Sequence, residues 1–69
     1  MPLSMMKTGE RNTIKKINGR DETKRFLESL GFVVGSSVAV ICETGGNMIL
    51  NVKDTRIALD KAMATRIIV

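Results

Sequence analysis

The chain has 69 residues and a net charge of +4, with one cysteine and no histidine. That length allows one domain, whose core hides roughly 60% of the surface exposed by the unfolded chain. A lone cysteine excludes an internal disulfide, and the missing histidine removes the commonest acid/base and metal-binding side chain. An apolar content of 43% against 26% charged residues argues for a folded chain, and with no tryptophan or tyrosine the core falls to Ile, Val, Leu and Met.

Residues 1–8 lack the basic start, apolar stretch and small-residue cleavage site of a secretory signal, which points to a cytoplasmic protein. They read as a leader that packs one or two of Leu3, Met5 and Met6 on the single domain spanning residues 1–69, with Thr8-Gly9 as the turn out of it. The longest run without charge, residues 29–42, holds two glycines and three serines and is too short and too polar to span a membrane as a helix. Residues 11–18, rich in Thr and Ile, are the first predicted strand. Ile14 and Ile17 are three apart there, so either a bulge intervenes or Ile17 begins the exit. Asn18-Gly19-Arg20 is a turn.

The next stretch organises the chain. Asp21 reads as a helix N-cap, and the following residues put Phe26, Leu27 and Leu30 on one face with Lys24, Arg25 and Glu28 outside it. Gly31 stops the helix where the backbone turns left-handed, and Phe32 is placed to fold back on Phe26 or Leu27. Gly35-Ser36 makes a turn into a strand over residues 37–43, whose alternation puts Val38, Val40 and Cys42 on one face. On that strand Cys42 reads as a small buried hydrophobe rather than a reactive thiol.

Thr44-Gly45-Gly46-Asn47 carries the glycine pair of a hairpin, and residues 48–53 return with Met48, Leu50 and Val52 facing inward. Asp54-Thr55 reads as a second tight turn, residues 56–59 as a short strand, and residues 60–64 as one helical turn capped by Asp60. The chain closes in a strand with Ile67 and Val69 on a shared face. The resulting fold class is mainly β: a small five-stranded, SH3-like barrel with one short helix between the first two strands and a helical turn before the last.

An ordered set of residues resembles a known family: Gly9, Ile14, Ile17, Gly19, Leu27, Leu30-Gly31-Phe32, Gly35, Val38, Gly46, Ile57-Ala58-Leu59, Ala64, Ile67 and Val69. The pattern is similar to the FeoA family, the small cytoplasmic component of bacterial ferrous iron uptake, and covers nearly the whole chain. One departure is Val34, where the family often has proline before the second glycine. The resemblance implies an SH3-like barrel that acts with a large membrane permease carrying a cytoplasmic G-protein domain. Related domains end iron- and manganese-responsive repressors, which supplies an alternative reading as a detached repressor-like interaction module.

The residues themselves suggest no catalysis and no cofactor. Seven carboxylates are scattered over predicted turns and surfaces, no serine or cysteine has a histidine partner, and no phosphate-binding Gly-x-x-x-x-Gly-Lys-Ser/Thr loop occurs. No group of three potential ligands stands out in sequence, so no metal site is expected, and the five methionines read as core filling. Seven of the eleven Lys and Arg residues precede Gly35, against four acids. Such a bias could meet nucleic-acid phosphates, but with Phe26 and Phe32 both expected in the core no stacking platform remains; an ordinary solvated face explains most of the charge, and the same patch could instead meet an acidic protein surface or anionic lipid headgroups. Lys24, Arg25, Val33 and Met48 are the candidate partner-binding residues.

Overall fold

The computed structural model describes residues 1–69 and orders them as a 3-10 turn (Leu3–Met5), β1 (Arg11–Thr13), β2 (Lys16–Ile17), α1 (Asp21–Ser29), β3 (Ser37–Thr44), β4 (Asn47–Val52), β5 (Thr55–Asp60), α2 (Lys61–Ala64) and β6 (Ile67–Ile68). Two antiparallel sheets result, one in the order β1-β3-β4-β5 and one pairing β2 with β6. The first predicted strand thus becomes two. Between them Ile14 N–H donates to Ser36 O at 2.9 Å and Lys15 N–H to Ile68 O at 2.8 Å, so the chain leaves one sheet and enters the other within two residues. The change of sheet is what the spacing of Ile14 and Ile17 reflects: both are buried, Ile14 at the crossover and Ile17 in the second sheet. The expected five strands are therefore six, and the two sheets do not close into one continuous barrel.

The two hairpins are built alike from unlike residues. Thr44 pairs with Asn47 across Gly45 (φ 52°) and Gly46 (φ 86°), and Val52 pairs with Thr55 across Lys53 (φ 50°) and Asp54 (φ 60°). Left-handed values at both central residues are the mark of the type I′ turn, whose twist matches that of the strands it joins. The second turn lies one residue earlier than Asp54-Thr55, because two non-glycine residues adopt the conformation that glycine signals in the first.

Alternation along these strands builds the core. Val38 pairs with Val52, Val40 with Leu50 and Met48 with Leu59, all of them buried. Leu3, Met6, Leu27, Phe32, Ala64, Ile67 and Val69 pack with them, and every fully buried side chain is apolar. One expectation fails at the end of β3. The register shifts between Val40 and Cys42, which pairs with Ile49, so Ile41 is the extra residue of a β-bulge. The bulge moves Cys42 off the core face to the outer face of the sheet, where it is half-buried.

The first residues are tied down. Leu3 and Met6 are buried while Met5 is exposed, Pro2 bridges Ile68, and Val69 N–H donates to Met1 O at 2.8 Å. Met1 N in turn donates to Val69 O at 2.8 Å. α2 is capped as expected, with Met63 N–H donating to Asp60 Oδ1 at 2.8 Å. α1 is not: its N-cap is Arg20, with extended backbone and no side-chain bond to the helix, and Asp21 is the first helical residue. Asp21 and Glu22 there favour the positive end of the helix dipole without capping it.

Candidate interaction surface

The interior holds no polar side chain and the surface no enclosed pocket, so recognition falls to what the surface presents. α1 presents most. Leu27 is fully buried, and helical geometry sets Phe26 and Leu30 on one flank of it, Lys24 on the other and Arg25 on the far side. Leu30 packs half-buried against the core, whereas Phe26 is 51% exposed. Leu27 sits at the centre of what the helix buries, and the ring of Phe26, at the edge of the apolar face, is left to solvent.

The helix ends with two bonds, Phe32 N–H to Leu27 O at 3.0 Å and Gly31 N–H to Glu28 O at 2.9 Å, with Gly31 at φ 103°. This is a Schellman stop, and its usual apolar contact is met by Leu27 and Phe32, both buried. The stop lies against the second hairpin: a Cβ at Gly31 would stand 3.7 Å from side-chain atoms of Val52 and Lys53. The chain then turns again. Ser36 N–H donates to Val33 O at 3.0 Å around Val34 and Gly35, and Gly35 N–H donates to Ile14 O at 2.8 Å, which fixes the turn to the β1–β2 junction. Gly35 at φ 92° in the third position makes this a type II turn. Val34 is held at its tip, 62% exposed, and Val33 is half-buried beside it.

Of the four candidate partner-binding residues, Arg25 is exposed and Lys24 and Val33 are half-buried. Met48 is a correction. It is fully buried, because it alternates in phase with Leu50 and Val52 on the core face of β4, and it offers nothing to a partner. Phe26 is a second correction. Placed inside by helical periodicity, it is exposed, and the argument that no aromatic ring remains on the surface fails with it. Val34 was also missed; the signal was its position before a glycine in a tight turn, where side chains point to solvent.

The surface is electrostatically free. The single ion pair of the molecule joins Lys61 Nζ to Glu43 at 3.1 Å, so none of Lys24, Arg25, Lys15, Lys16 or Arg11 is engaged by a carboxylate. These cations spread over α1 (Lys24, Arg25), β1 (Arg11), the β1–β2 junction (Lys15) and β2 (Lys16) rather than lying on one element. No three Cys, Asp or Glu side chains converge as metal ligands. No helix is long and apolar enough to cross a membrane.

The FeoA domain model matches residues 1–69. This chain belongs to the FeoA family. It is 34% identical over 68 residues to a protein of Methanocaldococcus jannaschii named for Fe(2+) transport (Fe(2+) transport protein A), covering 99% of this chain and 83% of that one. The crystal structure of an iron uptake regulatory protein (FeoA) superposes with TM-score 0.91 at 28% identity, covering 97% of this chain and 91% of the other. Stenotrophomonas maltophilia FeoA, solved with zinc and described as a prokaryotic SH3 domain protein, gives TM-score 0.86 at 27% identity, covering 99% and 87% of the two chains. The SH3-like architecture expected from sequence is therefore the fold of this FeoA-family chain, in its two-sheet form. A manganese-dependent transcriptional repressor matches at TM-score 0.88 with 18% identity, over 97% of this chain and 39% of its own, and shares the fold alone.

Proposed function

We propose that this FeoA-family protein is a non-catalytic cytoplasmic accessory of ferrous iron uptake. In this reading it binds the membrane Fe(II) permease that carries a G-protein domain, with α1 and the Val33–Ser36 turn as the contact. The observation that carries the reading is the half-exposed Phe26 on α1, a helix that also carries Lys24 and Arg25, neither paired to a carboxylate, on its other sides. Exposed aromatic side chains are what interface cores favour, and the cations elsewhere on the helix would steer it toward an acidic partner surface. Family membership and the naming of relatives for iron transport support the choice of partner.

NMR titration of labelled protein with the G-protein domain of its own organism's permease tests this. Amide shifts should cluster on residues 22–35, and Phe26→Ser should weaken binding about tenfold or more while leaving the spectrum folded. No shift at about 0.5 mM partner would remove that domain as the receptor at any useful affinity. The exposed ring also revives a nucleic-acid reading. A single aromatic is a poor stacking platform, and this alternative would declare itself by RNA or DNA affinity that falls steeply with salt.

A further inference from the structure

Independently of that reading, we propose that two copies of the chain associate through their β5 strands, antiparallel about a two-fold axis at Ala58, joining the four-stranded sheets into one. β5 is the last strand of its sheet and has a neighbour on one side only. The type I′ turn makes Val52 and Thr55 a hydrogen-bonded pair, so Leu50 with Ile57 and Met48 with Leu59 are bonded as well. The backbone groups of Arg56 and Ala58 and the N–H of Asp60, whose C=O opens α2, then point away from β4. No other hydrogen bond of the molecule takes up the N–H of Arg56, Ala58 or Asp60. Their side chains share the outer face of the sheet, and all three are exposed.

Natural edges are blunted by proline, bulges, charged side chains or a very short strand. β5 has no proline, no bulge and six residues, and its two charges, Arg56 and Asp60, are of opposite sign, whereas β1, the opposite edge, has only three residues and ends where the chain changes sheet. What β5 does carry is a self-complementary order. With Ala58 opposite the partner's Ala58, Arg56 stands opposite the partner's Asp60 and Asp60 opposite the partner's Arg56. All of these are hydrogen-bonded positions, where facing side chains are close enough to interact. Ala58 at the axis is small enough to sit against its own copy. Asp60 spends one carboxylate oxygen on capping α2 and keeps the other for the partner's Arg56. Shifting the register by two residues would unmake both ion pairs, so charge selects this alignment. β-strand addition of this kind takes its affinity from main-chain bonds and its register from side chains.

Sedimentation equilibrium of the full chain from about 10 μM to about 1 mM should show reversible dimerisation, the weak regime expected of a small interface. Exchange of the Ala58 and Asp60 amides should slow as concentration rises. Arg56→Asp sets like charges opposite each other twice and should weaken association at least about tenfold. Ala58→Pro removes the donors at the axis on the side of the strand where proline is tolerated, and should leave a folded monomer. Should Ala58→Pro fail to fold, Arg56→Asp, at an exposed side chain, still decides the matter. A chain that stays monomeric at about 1 mM, or a dimer indifferent to Arg56→Asp, overturns the proposal.

Discussion

The two helices differ in how they are held, and the difference separates scaffold from surface. α2 has four residues, opens on the Asp60 cap, buries Ala64 and packs Met63 on the core. α1 has nine, opens without a side-chain cap and fully buries Leu27 alone. The shorter helix is bound at its start and along its length; the longer one is bound at a single buried side chain and at its glycine stop. Length in α1 has gone into exposed area rather than core, which is what an element that meets a partner requires.

The sharpest way to break this contrast is within α1 itself. Leu27→Ala should cost about 2–5 kcal/mol of unfolding free energy, a large share of what a domain this size commands. Phe26→Ala, one residue away, should cost under about 1 kcal/mol. Denaturant melts of the two variants measure both, and equal losses would mean that Phe26 is packed rather than presented.

The caps give a subtler version. Asp60→Ala removes a bond to Met63 N–H and should cost about 1 kcal/mol. Asp21→Ala removes only an interaction with the helix dipole and should cost about 0.3–0.5 kcal/mol, less in high salt. A loss at Asp21 matching that at Asp60 would restore Asp21 as the true cap.

The sequence signal for these two aspartates was the same, an acidic residue before a helical run, and only backbone geometry tells them apart. Arg20 takes the extended conformation of an N-cap one residue earlier than composition suggests. What sequence read well was set by local rules: the glycine stop at Gly31, the Gly45-Gly46 turn, the inward alternation of β4, and the capped helical turn at Asp60. What it missed depends on non-local pairing. Nothing in residues 37–43 announces that Ile41 is skipped by β4, yet that bulge alone moves Cys42 outward. Lys53 and Asp54 are not residues that announce left-handed backbone, so the second turn was displaced by one. Of the candidate surface, Lys24 and Arg25 were legible as polar helix positions. Phe26 was not, because periodicity gives a helix face but not how wide a groove awaits it.

An effect of the opposite sign is expected at Val34, the residue before Gly35 in the turn that follows α1. Val34 occupies the second position of a type II turn, the position proline prefers, and its N–H serves in no hydrogen bond. Val33 before it is outside regular helix, so the ring of a proline meets no helical neighbour. Val34→Pro should therefore stabilise the fold by about 0.4–1 kcal/mol, chiefly by restricting the unfolded chain. The same change removes an exposed apolar side chain from the proposed contact while making the turn more rigid. A variant that melts later yet binds the permease domain more weakly would show that Val34 acts through its side chain. One that binds equally well would confine the contact to α1, and a variant that melts earlier would mean the turn is not of this type.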